Sequence, residues 1–276
     1  MPHYLHRLTT VVYFFVLASF PLFFWNCSTV PLTGRKQFSI IPNSSMLSMS
    51  ASQYGDFLKS SKVSSTKKDT VMVKNVGRKI QAAVEQYMTQ NNLSDRLSGY
   101  NWEFNLVESN EVNAWCMPGG KVVVYTGILP VTKDENGLAV VLGHEIAHAI
   151  AEHGNERMSQ GLLAQLGGVA LSEAIKNKPE QTKALWMGAF GLGAQYGALL
   201  PFSRVQESEA DHLGLIFMAM AGYDPNGALE FWTRMSKLQG GKAPPEFLST
   251  HPSDETRIAK IKEELPEALQ YYRAKH

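Results

Sequence analysis

Two histidines four residues apart with a glutamate beside the first, His144-Glu145-Ile146-Ala147-His148, are the residues of this chain best spaced for chemistry. On a helix, positions four apart lie one above the other, so both imidazoles reach a single cation while Glu145 points at water beside it. The chemistry is metal-assisted hydrolysis, in which the cation supplies charge and the carboxylate takes a proton. Two protein ligands are too few, because a catalytic zinc site has three and an open position. One known completion needs a glycine three residues after the second histidine and a histidine six after it, but Ala151 and Gly154 stand there and His153 falls one place short. His153 is read instead as a histidine at the end of the helix, near its negative pole. The acidic segment Glu207-Ser208-Glu209-Ala210-Asp211 offers another completion. Glu207 and Asp211 share a helical face, so one can ligate the metal while the other accepts a hydrogen bond from a ligand histidine; Glu209 falls on another face.

These residues need helices to carry them and a frame to hold the helices together. Leu138, Val141, Leu142, Ala149 and Ile150 form an apolar stripe, and Thr132 and Glu135 have capping-box spacing, which predicts a helix from Thr132 to about Ser159. Arg204 to Ala221 reads as the second carrier, stopped by Gly222 and Pro225. Upstream, Met46, Leu47, Tyr54, Phe57 and Leu58 suggest a short helix, and Val73, Val76, Ile80, Val84 and Tyr87 a stronger one. The period then falls to two at Tyr100, Trp102, Phe104 and Leu106. Two more strands, Asn113 to Met117 and Lys121 to Thr126, flank the turn Pro118-Gly119-Gly120, which makes a small three-stranded sheet. Gly161 to Leu200, broken at Lys176 to Glu180, predicts a helical hairpin, packed or membrane-touching, whose arms are too short to span a bilayer. Helices at Pro225–Gln239 and Asp254–Leu265 complete an α+β, predominantly helical fold.

With 276 residues, 44% apolar, the chain can bury one sizeable core. Lys and Arg number 26 against 25 Asp and Glu, and this scattered balance gives no basic face for nucleic acid. The first 26 residues stand apart: Val11 to Trp25 is almost wholly apolar and Arg7 precedes it, as in a secretory signal or an N-terminal membrane anchor. Cys27 follows at the position where a bacterial lipoprotein signal is cut and lipidated, and lipidation there is the expectation. Residues 27–45 read as a tether and 46–276 as the catalytic domain.

From Cys27 nearly to the C-terminus the chain resembles the gluzincin metallopeptidases of family forty-eight, the group of HtpX, the CAAX prenyl proteases and mitochondrial Oma. The resemblance rests on Thr33-Gly34-Arg35, on Asn113-Ala114-Trp115 and Pro118-Gly119-Gly120 before Tyr125-Thr126-Gly127, on the His144 helix, on Ser203-Arg204 with Glu207 to Asp211, and on Ser249-Thr250-His251-Pro252-Ser253. Within the group it is most similar to the LoiP- and BepA-like envelope lipoprotein peptidases and, with no multi-helix repeat domain following, looks more like the short LoiP type than BepA. The resemblance implies a gluzincin-type domain holding one Zn2+ on His144, His148 and Glu207, with Asp211 behind a ligand histidine and Glu145 as the base. It implies a catalytic role for His251, as an oxyanion partner or a resting cap on the metal, and substrate pairing along Asn113, Ala114, Trp115 and Cys116. Cys116 departs from the apolar residue usual there and is read as a buried neutral thiol. The implied partners are unfolded or unassembled envelope proteins, and the implied place is the bacterial envelope, facing the periplasm as an outer-membrane lipoprotein or from an inner-membrane anchor.

Overall fold

The computed structural model describes residues 27–195, 200–239, 247–248, 251 and 255–275. Residues 1–26, which carry the expected signal or anchor, and Ser249, Thr250, Pro252 and Ser253 lie outside them.

The frame begins with a small hairpin, β1 (Cys27–Thr29) antiparallel to β2 (Lys36–Phe38), followed by α1 (Asn43–Ser60) and α2 (Lys67–Gln90). Strands β3 (Glu103–Val107), β4 (Ala114–Met117) and β5 (Lys121–Tyr125) form a sheet in the order β3-β5-β4, with β3 parallel and β4 antiparallel to β5. Central β5 is covered on both faces, which explains its unbroken valines: Val122 and Val124 join the main core with Phe104 and Leu106, while Val123 packs with Val107 and Tyr54 beneath α1. The β4–β5 turn needs left-handed backbone at Gly119 (φ 84°) and Gly120 (φ 77°), and a Cβ on Gly120 would meet Trp102 at 2.5 Å.

After the short α3 (Leu129–Thr132) comes the central helix α4 (Glu135–Ile150), buried from Gly137 to its end. Its cap is Asp134, whose Oδ1 accepts from the Gly137 amide at 2.9 Å, rather than Thr132, which belongs to α3. Nor does α4 continue to Ser159: it ends at Ile150, Glu152 turns left-handed (φ 57°), and a new helix α5 (His153–Ala174) starts. Helices α6 (Glu180–Ala194), α7 (Leu200–Met220), α8 (Gly227–Gln239) and α9 (Glu255–Lys275) follow, the last running ten residues beyond its expected end and through Pro266.

Helix α7 packs more extensively on α4 than does any other element, and glycines make the approach possible. A Cβ on Gly143 would lie 2.8 Å from the Gly214 carbonyl oxygen, and one on Gly214 would lie 2.9 Å from the His144 nitrogen. The backbones therefore touch one residue from the first histidine.

Two further expectations change. The segment read as a tether is folded from Cys27, with Ile40 N donating to Ser159 Oγ at 3.0 Å and Asn155 Nδ2 to the Ile41 carbonyl at 2.8 Å. The α5–α6 hairpin is not packed into the core: in α5 only His153, Asn155, Glu156 and Ser159 are buried, while Leu166, Leu185 and Trp186 are 63%, 72% and 56% exposed. Its arms meet each other through Gly167 and Phe190. Among the described residues no helix is long and apolar enough to cross a membrane.

Candidate metal centre

Helix α4 delivers His144, Glu145 and His148, α7 delivers Glu207 and Asp211, and the segment after Phe247 delivers His251. All six are buried. Donor atoms of His144, His148, Glu207 and His251 lie within 4.8 Å of one another. His144 Nε2 stands 3.1 Å from both His148 Nε2 and His251 Nδ1, and Glu207 places its oxygens 3.4 Å from His144 Nε2, 3.2 Å from His148 Nε2 and 3.0 Å from His251 Nδ1. A tetrahedral ion bonded at about 2.0–2.1 Å sets its ligands about 3.3–3.4 Å apart, so these residues fit one. The donor set, imidazoles with one carboxylate, suits a divalent transition metal, zinc included. Spacing alone groups His144 and His148 with either Glu207 or Asp211; the choice of Glu207, and His251 altogether, come from the resemblance.

Asp211 occupies the supporting position, its Oδ1 2.9 Å from His144 Nδ1. That fixes the His144 tautomer with Nε2 facing the cluster. Asp211 is itself gripped by Arg257, whose Nε and Nη2 donate to Oδ2 and Oδ1 at 2.8 and 2.7 Å. The guanidinium lies 3.4 Å from the centre of the Trp232 ring and 3.3 Å from Glu207. Arg257 was missed in the sequence. The available signal was indirect: two carboxylates next to the metal in a buried site require a fixed cation.

Glu145 lies beside the cluster with Oε1 buried and, among the described residues, without a hydrogen-bond partner, His251 Nε2 being 3.4 Å away. Burial raises its proton affinity above the ordinary carboxylate value, which suits a base. Burial would raise Glu207 too, but the neighbouring His148, His144 and His251 hold its carboxyl far below the usual range, so it stays ionised. Burial would lower the His144 pKa, yet hydrogen bonds to Asp211 and Glu207 raise it to about 9; groups that stabilise a proton there also stabilise a cation. His148 is pushed well below its ordinary value by burial, which leaves it neutral and able to ligate.

His153 does not cap a helix end. It opens α5, fully buried, with Nδ1 2.9 Å from His148 Nδ1 and Nε2 3.2 Å from Glu209. The left-handed Glu152 folds the chain back so that His153 stands behind His148. Glu209, which had been assigned no role, therefore has a partner.

Strand β4 is an edge of the sheet, paired on one side with β5 and packed against α4. Asn113 Oδ1 accepts from the Ala114 amide at 2.8 Å, and Trp115 packs edge-on against Phe57 and Tyr54, with ring centres 5.0 and 6.0 Å away. Both side chains are engaged locally, so Asn113 to Cys116 can offer an extended partner chiefly its backbone. Cys116 points to the other face, where burial and the charge of Glu145 push its thiol well up, and it is neutral.

The model of Peptidase family M48 matches residues 75–265, from α2 to α9. The chain belongs to peptidase family M48. The peptidase is 42% identical over 174 residues to the mitochondrial metalloendopeptidase OMA1 of Schizosaccharomyces pombe, a match covering 62% of this chain and 49% of that one. It is 33% identical over 268 residues to the mitochondrial metalloendopeptidase OMA1 of Bos taurus, covering 93% and 50%. To the beta-barrel assembly-enhancing protease of Escherichia coli it is 30% identical over 166 residues, covering 57% and 33%. The chain spans about half the length of the first two relatives and a third of the last.

These relatives overturn the expected location. The greater likeness is to proteins named as mitochondrial, so a bacterial envelope or outer-membrane lipoprotein is not supported. An apolar run followed by a cysteine has the same composition in a lipoprotein signal and in other leaders or anchors, and composition alone cannot separate them. The correction removes the setting in which lipidation of Cys27 was expected; the structure places that residue in β1, paired with Phe38.

Proposed function

We propose that this peptidase is a zinc-dependent endopeptidase that cleaves unfolded or unassembled proteins presented as extended chain, and that the apolar run Val11–Trp25 holds it at a membrane. The observation that carries the reading is the juxtaposition of a four-donor cluster with a buried carboxylate oxygen, Glu145 Oε1, that accepts no hydrogen bond among the described residues. His144, His148 and Glu207 hold the metal. When bound, it supplies the Lewis-acid charge that acidifies water and polarises the scissile carbonyl. Glu145 accepts the proton of the attacking water and returns it to the leaving amine. Asp211 and Arg257 keep His144 aimed, and the outer edge of β4 pairs with substrate by strand addition, which selects an extended backbone over a particular side chain.

A second reading, a zinc-binding holdase or assembly factor with latent proteolysis, draws support from His251, which fills a fourth ligand position in this arrangement. Casein cleavage by wild type and by Glu145→Gln, each with and without a chelator, separates the two. A peptidase loses activity in the variant and in the chelator, and the variant still binds zinc. An inactive wild type that suppresses aggregation of an unfolded client establishes the rival.

A further inference from the structure

The two ligand histidines of α4 are supported differently. His144 Nδ1 meets a carboxylate directly, at Asp211. His148 Nε2 faces the ligand cluster, so in the metal-binding tautomer its Nδ1 carries the proton and donates to His153 Nδ1, 2.9 Å away. His153 Nδ1 is then an acceptor, and its own proton sits on Nε2, 3.2 Å from Glu209 Oε2. Only this direction of donation is consistent with ligation by His148.

The relay ends on the N-terminal hairpin. Glu209 accepts from Thr33 Oγ1 at 2.7 Å and from Arg35 Nε and Nη2 at 2.9 Å each, while the remaining Arg35 nitrogen contacts bind Glu156 at 2.7 and 2.8 Å. Gln206 Nε2 donates to the same Glu156 at 2.7 Å. His153, Glu156 and Glu209 are 0%, 1% and 5% exposed, so water does not substitute for these contacts. Arg35, from the loop between β1 and β2, is the cation that lets two buried carboxylates stand behind the metal centre.

Resting on the metal-site reading, we propose that Arg35, Glu209 and His153 are positioning residues for the peptidase: through them the β1–β2 hairpin fixes the tautomer and aim of His148. None of the three touches substrate. Partners behind a metal-ligating histidine commonly contribute about 10–100-fold in metal affinity or activity.

The test uses the full chain and zinc alone. His153→Phe keeps the ring volume and removes both nitrogens; Arg35→Met removes the guanidinium at the far end; Lys36→Ala, on the exposed neighbour in β2, is the control. Zinc affinity is measured by chelator competition, ligand geometry by the visible spectrum of the cobalt-loaded protein, fold by circular dichroism, and kcat and KM on casein. The expected result is a zinc Kd raised about 10–100-fold in both variants, a changed cobalt spectrum, a fall in kcat with KM little altered, unchanged circular dichroism, and a control like wild type. Should Arg35→Met not fold, Arg35→Lys, which retains a cation without the two-pronged grip, carries the same measurements. Wild-type zinc affinity and cobalt spectrum in folded His153→Phe and Arg35 variants overturn the relay. Failure of the wild type itself to bind zinc overturns the metal-site reading, and the relay with it.

Discussion

His251 sets Nδ1 3.0 Å from both oxygens of Glu207 and 3.1 Å from His144 Nε2, so it faces the ligand centre and not only a substrate carbonyl beside it. A fourth donor at that point competes with the attacking water. The expected consequence is that His251→Ala keeps its metal on the three remaining ligands and shows raised basal cleavage, checked by zinc content together with kcat and KM. A fall in kcat of about 10²–10³ would assign it to the oxyanion instead, and loss of zinc would make it an obligatory ligand. Glu145 is the complementary case, since it supplies no ligand. Glu145→Gln is expected to lower kcat by about 10²–10⁴ at full zinc occupancy, and wild-type turnover in that variant would remove it as the base.

The crossing of α4 and α7 brings together residues from the two halves of the site, and its closeness depends on paired glycines. Gly143→Ala forces a methyl against the Gly214 carbonyl, which the helices relieve only by separating. The expected cost is about 1–3 kcal/mol in urea unfolding, with weaker zinc binding because Glu207 moves away from His144 and His148. Unchanged stability and zinc affinity would show that the contact is slack. The packing of α9 on α7 carries a pH signature. Among the described residues Glu264 Oε2 is buried without a partner, and burial, with the nearby charges of Asp211, Glu267 and Glu263 adding, pushes its carboxyl up to about 7. From about pH 4.3, where an unfolded glutamate releases its proton, to about 7 the folded chain holds a proton that the unfolded one has lost. Stability contributed by the neutral form therefore declines as pH rises through that window. Glu264→Gln should flatten the decline in urea midpoint between pH 5 and 8, and identical slopes in wild type and variant would refute it.

Across the whole molecule, the metal couples the site to stability. Glu145, Glu207 and Asp211 lie buried near one another, and a cation bound only by the folded chain stabilises it by mass action. Free zinc at 100-fold over its Kd is expected to add about 2.7 kcal/mol, a rise of roughly 5–10 °C in the thermal midpoint for a chain of this size, reversed by a chelator. A midpoint indifferent to zinc would argue against the site. The sequence by itself determined the parts that depend on local spacing. Helical period placed His144 and His148 on one face, period two and Gly119-Gly120 gave the three strands, and the acidic segment marked the α7 carrier. Family resemblance added His251, and its envelope location did not survive comparison with the mitochondrial relatives. Only the tertiary structure decided what depends on distant groups. Arg35 meets Glu209 across 174 positions and Arg257 meets Asp211 across 46, contacts without a local period to betray them. The break at Glu152 turned His153 from a supposed helix end into the neighbour of His148, and among the described residues no other element covers the apolar side chains of the α5–α6 hairpin. Short-range pattern fixes which side of an element is apolar, whereas burial of a charge is settled by whichever cation the completed fold brings to it.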